Sequence, residues 1–395
     1  MTSETPAQDR VPLPVIARQW LRLGLIGFGG PPAHIALLRK LVVQDRKWLP
    51  AEEFEDGVAA VNLLPGPAST QLTIYAAWRL RGAAGALIGG ACFILPGLVI
   101  ILTLASVFLA EHPPGWISGL ALGAGAAVPA VAVAAAVGLV PASWRRMGEA
   151  RSARARWICY LLAGGAAAAL TGPWLVFVLI GCGLIEVAVR RRPPAQQPGG
   201  TIPPLALAAR LAAGGVGAGG LLALAWTAFK VGALSFGGGF VIIPLMQHDA
   251  VNTYHWMTAG QFLTAVALGQ VTPGPVVQTV AVIGYAAAGV GGGLLASLVA
   301  FTPSFCFVLG FGRHFDRLRR STGVQAFLTG AGPAAIGAIG GAAIPLVLAL
   351  AHLWQVGILA LAAVWLIGLR RGVVTGIVGA AALGVLVYLA GGPVG

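Results

Sequence analysis

Long apolar runs alternate with short polar loops along nearly the whole chain. The runs Ala83–Ala110, Gly115–Val140 and Gly372–Val394 each exceed the ~20 residues a helix needs to cross a hydrocarbon core. The pattern predicts an all-α polytopic membrane protein. Two further apolar segments, 15–36 and 54–78, are interrupted near their middles by Gly-Gly-Pro-Pro and Pro-Gly-Pro. Proline removes a backbone donor and clashes with the preceding turn, so these segments read as broken or re-entrant helices. The last two runs of the first half, 157–170 and 173–189, are short spans hinged at Thr171-Gly172-Pro173.

The pattern also repeats. Phe28-Gly29-Gly30 recurs as Phe236-Gly237-Gly238, and Pro65-Gly66-Pro67 as Pro273-Gly274-Pro275, both 208 positions later. Trp48 and Trp256, Phe54 and Phe262, and Asn62 and Gln270 keep that register; after one deletion Gln71 matches Gln278 and Pro96 matches Pro303. Duplicated, Gly/Pro-interrupted halves are how many secondary transporters are built, with substrate held where the halves meet. The expected organisation is a polar tail at 1–14, a first repeat at 15–189, a Pro-rich linker at 190–210, a linking helix at 211–228 and a second repeat at 229–395.

Composition strengthens the membrane reading: 57% of residues are hydrophobic and 9% charged, with mean hydropathy +0.86. A soluble chain of this length needs far more charge on its surface. The first apolar run lacks the flanks of a cleavable signal, so the first spans are expected to serve as the targeting signal. The net charge of +13 sits in short clusters between apolar runs. That distribution fits lipid headgroups better than nucleic acid as the partner.

Basic loops at 37–53, 79–81 and 141–156 in the first half correspond to loops without Lys or Arg at 246–261, 286–290 and 349–355. Conversely 313–320 and 370–371 hold six arginines where their first-half counterparts hold none. If basic loops face the cytoplasm, the two homologous repeats of about six segments are inverted relative to each other, and the linking helix supplies the odd crossing. The amino terminus is then cytoplasmic.

Candidate chemistry clusters at the breaks. Pro67 and Pro275 are suited to the first helical position, leaving free N–H groups through Ser69 and Gln71 in one half and through Gln278 in the other. A bare helix N-terminus carries roughly half a positive charge and attracts anions. A simple proline kink is the bland alternative for Pro65-Gly66-Pro67 and Pro273-Gly274-Pro275, but the duplication favours a site. Phe28-Gly29-Gly30 and Phe236-Gly237-Gly238 read equally as hinges or as close helix packing. Arg22 and Lys230, each six positions before its Phe-Gly-Gly, are matched cations suited to steering an anion. Asn62 and Gln270 can donate hydrogen bonds to an oxyanion or simply pack between helices.

His34, His248 and Asp249 are possible proton relays, although loop histidines are more often solvated. Glu186 is expected to pair with Arg190 one turn away. No carboxylate stands out as buried at mid-membrane. Cys92, Cys159, Cys182 and Cys306 read as small core residues, and no enzyme, cofactor or metal motif is present.

Phe28-Gly29-Gly30-Pro31 and Pro65-Gly66-Pro67, echoed at 236–238 and 273–275, resemble the chromate ion transporter (CHR) family of the long-chain, two-domain type. The resemblance runs from about residue 15 to 390. It implies an inner-membrane secondary transporter with antiparallel halves that exports chromate, a tetrahedral dianion, and confers chromate resistance. The second copy departs from the first where Gly239-Phe240 replaces Pro31-Pro32. Sulfate or another oxyanion is the nearest rival substrate, and a membrane-embedded lipid-handling protein the rival of another class. A second copy of the chain is a candidate partner.

Overall fold

The structure is a computed structural model that describes residues 11–62, 64, 66–170, 175–190, 220–235, 240–312 and 321–394. Every regular element among them is helical. The expected linker, the first half of the expected linking helix (211–219), the basic loop 313–320 and the candidate residues Pro65, Phe236, Gly237 and Gly238 lie outside the described residues.

The first half opens with α1 (Leu13–Ile26) and α2 (Gly30–Arg39), separated by Gly27, Phe28 and Gly29. α2 runs on through a wider helical turn at Lys40–Asp45. The chain then returns toward α1, because Trp20 stacks on Trp48 with ring centres 6.4 Å apart. α3 (Ala51–Val61) and α4 (Ala68–Phe108) follow, with Pro-Gly-Pro between them. α4 is not one rod. Arg81 and Gly82 leave helical geometry, and the chain reverses there, so that Gly85 and Gly89 pack on Ala77 and Gly90 on Ile74. Gly57 of α3 packs on Leu72 and Tyr75 of the first arm, 68–80. At 1.5 Å per residue α3 is about 16 Å long and that arm about 20 Å, so neither crosses a ~30 Å core alone. They form a helical hairpin whose tip is the Pro-Gly-Pro break, as the broken-helix reading expected.

The rest of the first half is α5 (Gly115–Met147), α6 (Arg151–Leu170) and α7 (Leu175–Arg190). The second half repeats the order. α8 (Leu221–Leu234) precedes α9 (Ile243–Gln247), which widens at His248–Thr253, and then come α10 (Ala259–Val271) and α11 (Thr279–Phe311). α12 (Thr322–Gly341), α13 (Ala343–Leu348), α14 (Leu353–Ala363) and α15 (Val373–Leu389) complete it. Unusual backbone recurs in step with the sequence repeat. Lys47 and His255 both adopt φ +52°, and Gly82 and Gly289 both adopt φ +63° at the reversals inside α4 and α11. The closing bond Trp48 N–H to Val42 O is matched by Trp256 N–H to Ala250 O.

The halves interlock rather than stand side by side. The second arm of α4 (83–108) packs antiparallel to the second arm of α11 (290–311): Gly90 meets Phe305, and Gly293 meets Leu102. Gly119 and Gly123 of α5 lie on Gly384 and Ala380 of α15. In return, α12 of the second half packs on α6 and α7 through Gly337 against Leu161 and Gly330 against Cys182. One apolar cluster draws Ile101 and Val128 from the first half together with Phe262, Val280 and Phe301 from the second. Glycine at these crossings lets backbones approach closely, which is how helices pack where lipid is no less apolar than the side chains.

At the α6–α7 crossing Glu186 is fully buried. It accepts hydrogen bonds from Arg156 Nε at 2.9 Å, from the expected Arg190 Nε at 2.7 Å and from the Tyr160 hydroxyl at 3.3 Å. The expected ion pair with Arg190 thus holds a carboxylate that is itself buried, with Arg156 as a second partner that offsets the cost of taking its charge out of water.

Among the described residues, Ala68–Phe108, Gly115–Met147, Val276–Gly310 and Thr322–Leu348 are long and apolar enough to cross a membrane. The protein is an all-α, multi-pass membrane protein. Gly337→Val is expected to force α12 off Leu161 and to destabilise the fold by about 1–3 kcal/mol, the usual cost of overpacking; the melting temperature in detergent measures it.

Candidate functional site

Four chain breaks converge at the centre of the bundle. Gly66 N–H donates to the Ser235 carbonyl at 3.0 Å, and Gly274 N–H donates to the Gly27 carbonyl at 2.9 Å. Positions 66 and 274, and 27 and 235, are 208 apart, so the same bond is made twice with the halves exchanged. Each break therefore satisfies a backbone group of the other half. Gly66 and Gly274 hold φ of +120° and +99°, where a side chain is strained. A Cβ at Gly66 would in addition collide with the side chain of Gln71.

Both helices that leave the Pro-Gly-Pro breaks start one residue later than expected. Pro67 and Pro275 sit just before the helix in extended backbone, at ψ 100° and 127°, and neither helix has a side-chain cap. The Pro67 carbonyl already accepts the Gln71 N–H at 3.0 Å, as the residue preceding a helix does. The amides of Ala68, Ser69 and Thr70 are thus the first-turn donors without an intrahelical acceptor. In the second half those of Val276 and Val277 are equivalent, and Val276 lies 3.8 Å from where a Cβ on Gly30 would stand.

The surroundings are polar but incompletely paired. Gln278 Nε2 donates to the Ile94 carbonyl at 2.6 Å, tying the second break to α4. Thr70 Oγ1, Ser235 Oγ, Gln270 Nε2 and Gln278 Oε1 are buried and find no hydrogen-bond partner among the described residues. Each borders one of the breaks. A buried, unpaired polar atom costs about 1–3 kcal/mol, so a group of them marks a place for water or a polar ligand.

A cavity of about 460 Å³ opens beside the first break. Asn62, Gly66 and Ala68 line one wall, Leu139, Ser143 and Arg146 of α5 a second, Leu179 of α7 and Phe327 and Ala331 of α12 a third, and Ala233 and Leu234 of α8 close it from the other half. Arg146 is the charged side chain among these lining residues. It is exposed, and among the described residues no carboxylate pairs with it, so a cation and a bare helix end border one space. Arg146 was read from the sequence only as one of a basic cluster at a loop. α5 continues through Pro141 to Met147, so Arg145 and Arg146 both lie in its last turn, and it is the rotation about the helix that brings Arg146 to the cavity.

The other candidates fall in several places. Asn62 lines the cavity but returns its amide to its own helix, donating to the Val58 carbonyl at 2.9 Å. Arg22, Phe28 and Gly29 are exposed, and Gly30 is half-buried. Pro273, Gly274 and Pro275 are buried at the second break. Lys230 departs most from expectation. Its Nζ lies 2.5 Å from Asp249 Oδ2, Thr227 donates to the same oxygen at 3.0 Å, and Asp249 is buried. The charge expected to stand free is therefore held by a carboxylate on the next helix, one that the sequence had left as a loop group. His34 is likewise buried rather than solvated. Among the described residues no three His, Cys, Asp or Glu side chains converge as a metal site.

The sequence profile described as chromate transporter matches residues 15–187 and 222–385, one stretch in each half. A chromate transport protein of Cupriavidus metallidurans is 31% identical, over 83% of this chain and 80% of its own length. A probable chromate transport protein of Synechococcus elongatus is 28% identical over 87% of this chain and 90% of its own. A chromate transport protein of Pseudomonas aeruginosa is 29% identical over 86% and 82%. No solved structure matches the chain. With both halves covered by one family profile, the chain belongs to the chromate transporter family.

Proposed function

We propose that the protein exports chromate, or a tetrahedral oxyanion of like charge, across the inner membrane by alternating access between two inverted repeats, and so confers chromate resistance. The observation that carries this reading is the cavity shared by the uncapped N-terminus of α4 and Arg146. A dianion there gains the first-turn amides of Ala68, Ser69 and Thr70 together with a guanidinium, whose planar fork fits oxyanions. The inversion is supported by the reciprocal bonds at Gly66 and Gly274 and by the antiparallel second arms of α4 and α11. The distribution of basic loops supports an amino terminus in the cytoplasm.

The inside-negative potential favours anion exit by about 2.3 kcal/mol per charge per 100 mV, and a dianion gains about twice that. Arg22, exposed on α1, is suited to steering anions, whereas Lys230 reaches one only after leaving Asp249. The second break, with Gly30, Gln270 and Gln278 around Val276, is the matching end of the path when access changes side.

Arg146→Gln is expected to weaken chromate about 10–100-fold in KM for flux into inverted vesicles, as loss of a charged hydrogen bond of about 1.5–3 kcal/mol requires. Expression and melting temperature should hold. An unchanged KM removes Arg146 from the site. Lys47→Cys and His255→Cys, at equivalent positions, should label from opposite faces of the membrane with an impermeant reagent; labelling from one face contradicts the inversion.

A further inference from the structure

A buried histidine meets the first turn of α4, the helix whose N-terminus borders that cavity. His34 of α2 is buried, with Nε2 2.9 Å from the Gly27 carbonyl, Nδ1 3.3 Å from Ser69 Oγ, and the ring packed edge-on to Phe93. A carbonyl only accepts, so Nε2 carries the hydrogen and donates to Gly27. In the neutral ring Nδ1 is then an acceptor, and the Ser69 hydroxyl donates to it. Gly27 also accepts the Gly274 N–H that ties the halves together, while Ser69 belongs to the first turn of α4. One imidazole thus joins the bare helix end to the brace between the repeats. Its counterpart 208 residues on is Ile242, so the chain has this feature in one half alone.

We propose that His34 takes up one proton when an oxyanion binds at the N-terminus of α4, so that each anion travels with a proton. The proton comes from water and forms one N–H bond at Nδ1. Nδ1–H then donates to Ser69 Oγ, the Nε2–Gly27 bond is unchanged, and the Ser69 hydroxyl hydrogen is released to donate toward the anion. Nothing is oxidised or reduced.

Charge balance favours the pairing. The charged groups on the helices packed against the ring lie along them away from it: Arg18 and Arg22 on α1 are exposed, Arg39 (paired with Glu55 of α3), Lys40 and Asp45 lie at the far end of α2 and its continuation, and Arg79 (paired with Glu53 of α3) and Arg81 lie at the reversal in α4. The facing part of α4 offers the Cys92 thiol beside Phe93, and the Val276–Gln278 turn offers no ionisable group. With no carboxylate among its hydrogen-bond or ion-pair partners in the described residues, and the positive end of α4 beside it, an imidazolium here is unfavourable until an anion arrives. Anion and proton therefore raise each other's affinity, as linkage demands. The net charge moved per cycle falls from two to one.

This inference rests on the anion site proposed above, and the test separates the two. Sulfate is the probe, because unlike chromate it keeps its charge across the neutral range. The purified full chain in lightly buffered detergent with a pH dye should take up close to one proton per sulfate bound. Its affinity should weaken by up to about tenfold per pH unit as pH rises through the range where the loaded ring loses its proton, the limit for one linked proton. His34→Gln should bind sulfate without proton uptake and with a flat pH profile. Wild-type binding without uptake, or uptake that persists in His34→Gln, overturns the inference and leaves the anion site standing. If that variant does not fold, the wild-type proton count decides alone. Failure of both sulfate and chromate to bind at every pH overturns the anion site and the inference with it.

Discussion

An unpaired backbone amide at membrane depth costs several kcal/mol, and this constraint governs the centre of the protein. The chain is broken there four times, and each broken pair is closed by the other half: Gly66 to Ser235, and Gly274 to Gly27. Only a backbone free to take φ near +100° presents its N–H in that direction, which is why glycine stands at the middle of both Pro-Gly-Pro segments. Neither half is complete without the other. The close crossings of α5 with α15 and of α12 with α6 carry the same dependence outward, since the last helices of each half rest on the long helix of its partner half.

Charge is handled in two different ways within this frame. Glu186 is held between Arg156 and Arg190, and Asp249 between Lys230 and Thr227. In both places the ions are committed to one another, and removing either member would leave a buried charge uncompensated. Arg146 differs, because it borders a cavity and has no carboxylate partner among the described residues. An anion entering that cavity meets an uncommitted cation and uncommitted amides together. The two kinds of arrangement suit opposite roles, one fixing helices and the other binding a guest that must leave again.

The sequence was most informative where a local rule has a local cause. Gly-Gly-Pro-Pro and Pro-Gly-Pro cannot sit inside a helix, so breaks at 29–32 and 65–67 could be expected without coordinates; the first falls slightly earlier, at 27–29, because Gly30-Pro31-Pro32 open α2. The duplication extended them to the second half. Helix starts were off by one residue, because a proline is tolerated both at the first helical position and immediately before it. What escaped were properties that depend on rotation about a helix and on packing between distant segments. Asp249 looks like a loop carboxylate until α9 places it against Lys230, 19 positions away. Arg146 cannot be told from Arg145 by composition, and His34 becomes buried only because Ser69, Gly27 and Phe93 close around it.

The central claim is that a doubly negative guest sits against the exposed amides of an interrupted helix at the junction of the halves. The most direct measurement is the position of chromium in an experimental structure of the chromate-loaded protein, fixed by anomalous scattering at the chromium edge. The account predicts a chromium peak within hydrogen-bonding reach, through its oxygens, of the amides of Ala68–Thr70 and of the Arg146 guanidinium. Chromium bound elsewhere, with those amides turned to lipid or sealed by protein, would contradict it.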